Sequence, residues 1–350
     1  MDLYIYNASG ERVGICDSFI SLMWIRRYSS AGAFELYTVA SDDYAALLMP
    51  QRYIYRPDVG ESMYISGVQE EIDGDVKKLI VSGYSLDGLF RKRCMKSYTK
   101  KSLISTLTAV TSFGLDMEIS TDNDVKLISV DKNSDVESNM RDTLTANEYG
   151  FRLELDPANS KLVGGIVVGE DLSDTVIFSA YYDNLYASAY AYDEEGGCNR
   201  IYGRTNAPTD SSVDTSEGLP TYEYGDTAEG LDCMEGLVYV DPVLGQKYVS
   251  DGEGNVTLVT YVMYDNTLED LIDACMAAYS EPPENISGDV AMDKYRKAFD
   301  VGDIVAVADK ARGLTLTKRI TEVQETYDST GVSITPTFGE PIKTIYDLIK

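Results

Sequence analysis

Apolar and polar residues alternate along much of the chain, the signature of strands with one buried face. Leu3–Tyr6 is short and apolar, Asn7–Gly10 is a turn, and Arg12–Cys16 resumes the pattern. Phe19–Tyr28 and Ala33–Val39 flank the turn Ser29–Gly32 and predict a hairpin. Tyr53–Tyr55, Ser62–Gln69 and Lys78–Tyr84 continue the series, with a tight turn at Asp73-Gly74. Trp24, the single tryptophan, lies inside an alternating strand and is expected in the core. The 27 tyrosines suit such half-buried strands.

The period then changes. Leu103, Leu107 and Val110 recur at helical spacing within Ser102–Phe113, with Gly114 as a C-terminal cap. Ser134–Tyr149 repeats this: Ser134 caps, Val136, Met140 and Leu144 share a face, and Gly150 ends the helix. Phe151–Leu155 and Leu162–Val168 predict a hairpin across Asp156–Asn159. Beyond it Asp174–Phe178, Leu185–Tyr192, Arg200–Arg204, Leu237–Asp241 and Val256–Tyr264 are strand-like, and Asn206–Gly230 reads as a long exposed loop. A helix follows, capped by Thr267 with Asp270 completing a capping box. Its apolar stripe is Leu268, Leu271, Ile272, Cys275 and Tyr279, and Pro282-Pro283 stops it. Strands at Ile304–Ala308, Thr315–Tyr327 and Gly331–Pro336 close the chain.

This order predicts a fold that is mainly β with α/β insertions. The expected divisions are a first β domain at 1–98, an α/β lobe at 99–170, a second β domain at 171–265, a helical insertion at 266–298, and closing strands of the second β domain at 299–350. At 350 residues, 44% hydrophobic and 25% charged, the composition is that of a folded protein of more than one domain.

Two totals narrow the function. Histidine is absent, which removes Ser-His-Asp and Cys-His catalysis and the commonest nitrogen ligand of zinc. Asp and Glu outnumber Lys and Arg by 58 to 30, a net charge of -28, so the chain repels phosphate backbones and anionic lipid. Such a surface suits a wall that DNA slides past, and equally a protein kept soluble by its charge. Cys16, Cys94, Cys198, Cys233 and Cys275 are odd in number and widely spaced, without a CxxC, which fits neither a zinc ribbon nor a disulfide framework. The N-terminus lacks the features of a signal peptide, and no apolar run reaches the ~18 residues of a membrane span.

Candidate chemistry is sparse. Glu70-Glu71 and Asp193-Glu194-Glu195 could supply a glycosidase pair, or serve as solvated loop acids. Asp251–Asn255 resembles part of a calcium loop, but Val256 stands where an EF-hand needs Gly, so a tight turn is expected. Gly60 and Gly164-Gly165 lack the surroundings of a nucleotide-binding loop. Arg91-Lys92-Arg93, extended by Lys96, Lys100 and Lys101, is a basic island that reads as an ion-pairing surface facing acidic neighbours rather than a nucleic-acid patch. No catalytic, cofactor-binding or metal-binding residue is assigned.

Three blocks read together point further. They are Phe19–Tyr28 with Gly32–Leu36; Ser82–Arg93; and Phe299–Val305 with Lys318–Val323 and Thr335–Gly339. Between them lie Thr175–Ser179, Asn184-Leu185 and Asn199–Gly203. In order and spacing these resemble the siphophage tail-hub family of the ReqiPepy type, related to the N-terminal part of tail-associated lysins, over residues 1 to about 340. The resemblance implies a phage baseplate hub with two tube-like β-barrel domains and smaller α/β lobes, assembled as a homotrimeric ring at the end of the tail tube. It implies a non-enzymatic virion protein of the tail tip, assembled in the bacterial host cytoplasm, with no cofactor and no membrane insertion. Its implied neighbours are the distal tail protein, the tape-measure protein and receptor-binding or tail-fibre proteins, and DNA passes its channel without specific binding. Many relatives carry a muralytic domain after the hub; the sequence ends at Lys350 without one. The same fold in a contractile tail or a phage-tail-like bacteriocin is the nearest alternative. A carboxylate-dependent glycosidase using Glu194 or Glu195, and a calcium-dependent carbohydrate-binding module, are alternatives of another class.

Overall fold

The computed structural model describes residues 1–73, 76–95, 102–110, 113–127, 134–193, 197–225, 233–251, 253, 255–309 and 312–340. In chain order the elements are β1 (Leu3–Tyr6), β2 (Arg12–Cys16), β3 (Ser21–Arg27), β4 (Ala33–Val39), α1 (Asp42–Leu47), β5 (Tyr53–Arg56), β6 (Glu61–Asp73) and β7 (Val76–Ser85). A 3-10 turn at Leu86–Lys92 leads to α2 (Leu103–Val110), β8 (Asp116–Ile119), α3 (Val136–Ala146), β9 (Gly150–Asp156) and β10 (Lys161–Val167). Then come β11 (Ile177–Ser179), β12 (Tyr186–Tyr192), β13 (Arg200–Thr205), β14 (Thr221–Gly225), β15 (Glu235–Val240), β16 (Leu244–Ser250) and β17 (Val256–Val262). The last elements are α4 (Tyr264–Ala278), β18 (Glu284–Asp289), β19 (Ile304–Asp309), β20 (Leu314–Asp328) and β21 (Gly331–Gly339). The fold is mainly β, as the alternation predicts. Two compact units divide the chain: Met1–Ala191 with Glu284–Lys350, and Tyr192–Pro283.

The first unit is built on one sheet of order β12-β18-β21-β20-β3-β4-β7-β6-β5-β1-β2, with β11 and β19 attached through β20. The expected hairpin is present: Ser21↔Tyr37 to Ile25↔Ala33 pair β3 with β4. The decisive pairing is β3 with β20, Glu322↔Arg27 to Tyr327↔Leu22, which joins the first strands to the closing ones. This strand order is an open path ending at β2 and β12, and no closed barrel is found among the described strands. Trp24, Leu22, Phe34, Leu36 and Ile54 are buried on one face of this sheet. Gly83 permits the close approach of β7 to β6, since a Cβ there would stand 1.9 Å from the Tyr64 carbonyl oxygen.

From α2 to β10 the elements of the first unit are a mixture of helices and strands. β9 and β10 pair from Lys161↔Asp156 to Val167↔Gly150, and β8, which the alternation does not reveal, adds parallel to β10. Asp135, not Ser134, caps α3: its carboxylate accepts the Ser138 amide at 2.8 Å. The lobe shares one core with the 3-10 turn, through Leu86, Phe90, Leu107, Met140, Leu144 and Phe151.

The second unit departs most from expectation. β14 lies inside the segment expected as a long loop and pairs with β13. β16 pairs with β17 as a hairpin, although Gly245, Gln246 and Lys247 dilute its apolar pattern. Thr267 does not cap α4, because the helix starts three residues earlier, with Met263 at the N-cap. The Thr267 hydroxyl instead bonds back to the Met263 carbonyl and accepts the Val243 amide, both at 2.9 Å.

Candidate functional site

Alternation along β3 turns Leu22, Trp24 and Arg26 to the same side, so a charge arrives where apolar residues are otherwise buried. Arg26 Nε lies 2.8 Å from Glu61, its Nη1 donates to the Tyr295 hydroxyl at 2.7 Å, and Nη1 also pairs with Asp300. Glu61 further accepts Trp24 Nε1 at 3.1 Å and Arg296 Nη2 at 3.0 Å. Arg296 pairs with Glu325 as well. Glu325 accepts Arg56 Nη1 at 2.7 Å and the Tyr327 hydroxyl at 2.6 Å, and Asp58 takes Arg56 Nη2 at 2.9 Å. Arg56 and Glu325 are each 1% exposed. Arg152, 3.3 Å from Asp300, completes a set of four arginines facing four carboxylates.

Desolvating so many charges is costly unless each is paired and hydrogen-bonded. That condition is met here, and no buried side-chain polar atom lacks a partner among the described residues. Burial pushes the Glu61 carboxyl up, but Arg26 and Arg296 overcome it and hold it below the usual carboxylate range. Asp300 is held low in the same way, by Arg26 against burial. Arg296 has φ of 62°, left-handed backbone that a non-glycine residue adopts at a cost of ~1–3 kcal/mol. From it the guanidinium reaches both Glu61 and Glu325.

Glu154 sits behind this network. Its Oε2 accepts the Ser62 amide at 2.6 Å and the Ser62 hydroxyl at 2.7 Å. Burial, and then the neighbouring Glu61 charge, push its carboxyl up to about 8. Burial likewise pushes Asp87 up to about 6. Both line a narrow cleft with Arg27, Ser62, Arg152 and Val301. The charges of this cleft hold one another and the backbone, which is the chemistry of a fastening.

The quoted sequence blocks meet in the same region. Tyr28 packs against Gly302 and lies under Arg319, 5.1 Å from its ring centroid. Its hydroxyl accepts the Gly169 amide at 2.9 Å and reaches the carbonyls of Glu148 and Val167 at 3.1 and 3.2 Å. Trp24 is fully buried, as expected.

Other flagged positions fall elsewhere. Glu70 pairs with Lys77 at 3.2 Å and Glu71 accepts from Gln69, both at the surface. Glu194 and Glu195 lie outside the described residues. Asp251 spends both oxygens on a turn, accepting the Glu253 and Asn255 amides and the Asn255 side chain. Arg91, Lys92 and Arg93 lie over the rings of Tyr84, Tyr64 and Phe113, while Lys96, Lys100 and Lys101 are outside the described residues. Gly60 closes a turn at φ 72°, and Gly164 lets β10 approach the Arg152 carbonyl. No group of three metal-ligating side chains occurs among the described residues, and no helix there is long and apolar enough to cross a membrane. Sequence reasoning passed over Arg56, Glu61, Arg296 and Glu325. For Glu325 a signal existed: it is in phase with buried Val323 on β20.

Residues 2–111 and 280–340 match the family profile of the siphovirus ReqiPepy6 Gp37-like protein. Those two segments carry the likeness of the chain to the siphovirus tail proteins. They hold β1–β7 and β18–β21, the strands that β3 and β20 bring together, and every member of the charge network except Arg152. Solved structures similar to this chain include the 43 kDa tail protein of prophage MuSo2 from Shewanella oneidensis, at 14% identity and TM-score 0.57, covering 97% of this chain and 98% of that one. The tail protein from Neisseria meningitidis MC58 is similar at 12% identity and TM-score 0.57, covering 97% and 96%. Prophage tail protein gp18 from Listeria monocytogenes EGD-e follows at 13%, TM-score 0.51, covering 100% and 97%. At these identities the likeness is one of fold. No curated protein matches.

Proposed function

We propose that this tail protein is the structural hub of the tail tip, a homotrimeric ring that continues and closes the tail tube and carries host-recognition proteins. The observation that supports this most is the junction of β3 and β20: the two family segments share one sheet and are fastened by a buried ionic network. A ring that bears load needs such a joint, since separating the halves would leave several charges buried and unpaired. In this reading the strands before residue 98 and those after 171 are two tube-like barrel domains, completed on assembly, with the α/β lobe of 99–170 and the helical segment of 266–298 as appendages. Its partners are the distal tail protein, the tape-measure protein and receptor-binding or fibre proteins. The net charge of -28 lets DNA pass without adhering. The protein works in the virion after assembly in the host cytoplasm, and it is not an enzyme.

Native mass over a range of concentrations, with negative-stain imaging of any oligomer, tests the reading. A trimer seen as a ring with a central opening is the expected result. A strict monomer at every concentration counts against it.

A further inference from the structure

The second unit contains a sheet with one covered face and one open face. α4 covers the first: a Cβ on Gly203 would stand 2.6 Å from Cys275 Sγ and 2.9 Å from Leu271, so the helix seats directly on β13. Ile201 and Thr205 point the same way and are buried. Alternation therefore sends Arg200, Tyr202 and Arg204 to the other side. Register adds their neighbours: Glu235, Leu237 and Tyr239 on β15 oppose these three in turn, and Glu223 opposes Tyr202 on β14. Leu237 is 49% and Tyr239 55% exposed.

This face differs from the rest of the chain in charge. Arg200 reaches Glu223 at 3.9 Å and Glu235 at 3.5 Å, and Tyr202 donates to Glu235 at 3.0 Å. Arg204 is exposed and has no ion-pair partner among the described residues. Two arginines against two glutamates leave the face neutral in a chain of net charge -28. Two such chains repel across most of their surfaces, so they approach most cheaply through a neutral patch. Tyrosine and arginine around an apolar centre are also what interface centres are made of.

We propose that the open face of β13–β14–β15 docks against a second copy of this chain, with Tyr239 and Leu237 at the contact and Arg204 taking a carboxylate of the neighbour. The inference rests on the ring reading and names one of its contact surfaces. Strand spacing and rise give the face about 15 by 17 Å. That is about a third of the ~800 Å² per partner in a stable interface, so the face is the centre of a larger contact.

Native mass of the whole chain is compared with those of Leu237→Thr/Tyr239→Thr, which keeps strand-favouring residues, and Arg204→Glu. Supporting results are a trimeric parent and variants whose assembly weakens at least about tenfold, or ~1.4 kcal/mol, at unchanged melting temperature. A trimeric parent with equally trimeric variants overturns the inference, assigns the face to a different partner, and leaves the ring reading standing. A parent monomeric at every concentration overturns both. Should a variant fail to fold, a benzophenone amino acid at position 239 replaces it. Crosslinked multimers then support the contact, and exclusively monomeric products overturn it.

Discussion

Arg26 on β3 and Asp300, 274 residues later in the chain, are joined by two guanidinium–carboxylate contacts. The pair lies where the first and closing strands share the sheet, and Glu61 takes the remaining side of the same guanidinium at 2.8 Å. Chain closure over so long a loop is entropically expensive, and it is repaid here by apolar burial on β3 and β20 as well as by charge pairing. Apolar contact alone tolerates sliding, whereas Arg27 on β3, paired with the opposing Glu322 on β20 at 2.7 Å, favours one position of the two strands.

Breaking the network on one side has a large effect. Glu325→Leu leaves Arg56 and Arg296 buried without this carboxylate and is expected to cost ~3–5 kcal/mol. Chemical denaturation of Glu325→Leu, Arg56→Met and the double variant measures it. The double variant should lose clearly less than the sum of the singles. Additive losses would mean that the two side chains do not act together.

Glu154 gives stability a pH dependence whose sign follows from its raised carboxyl. Below 4.5 the folded and unfolded chains both hold the proton, and the group contributes nothing. Between 4.5 and about 8 the unfolded chain releases it while the folded chain does not, so stability falls as pH rises. Glu154→Gln, whose amide oxygen can still accept from Ser62, removes this loss. It should match the parent at pH 4 and exceed it above pH 8, by on the order of a few kcal/mol. Melting curves that stay parallel across that range would refute the assignment.

Overpacking under α4 should loosen the second unit. Gly203→Val drives a side chain into Cys275 and Leu271 and is expected to cost ~1–3 kcal/mol or more. Hydrogen exchange should report it as faster exchange in β13–β15 and α4, with β3 and β20 unchanged. Equal loss of protection in both units would show that they unfold together.

Calcium should not stabilise the chain through Asp251. Both carboxylate oxygens already accept hydrogen bonds within the turn, which favours the ionised form without a cation. Melting temperatures in calcium and in chelator are expected to agree. A rise with calcium that disappears in Asp251→Asn would reverse this and revive the carbohydrate-binding alternative.

Local patterns carried most of the fold into view. Alternation at Ser21–Arg27, Ala33–Val39 and Leu314–Asp328 predicts strands because one face of each is buried. β14 is hard to read because it spans only Thr221–Gly225, and β16 because Gly245 and Lys247 hold its half-buried positions while Leu244 and Tyr248 are exposed. The sequence pattern points to Thr267 as the start of α4 because it satisfies a capping pattern, whereas in the fold its hydroxyl serves the Val243 amide.

What the sequence determined by itself was the mainly β class, the burial of Trp24, the lack of histidine chemistry, the acidic character and the resemblance to siphophage tail proteins. Each depends on short-range periodicity, on composition, or on ordered blocks of residues. Only the tertiary structure decided that β3 lies beside β20, that Arg26, Arg56 and Arg296 share Glu61 and Glu325, and that burial beside Glu61 raises the Glu154 carboxyl. Those facts depend on which distant segments meet, and a lone charge in a strand does not reveal whether its neighbour will be water or a partner from far along the chain.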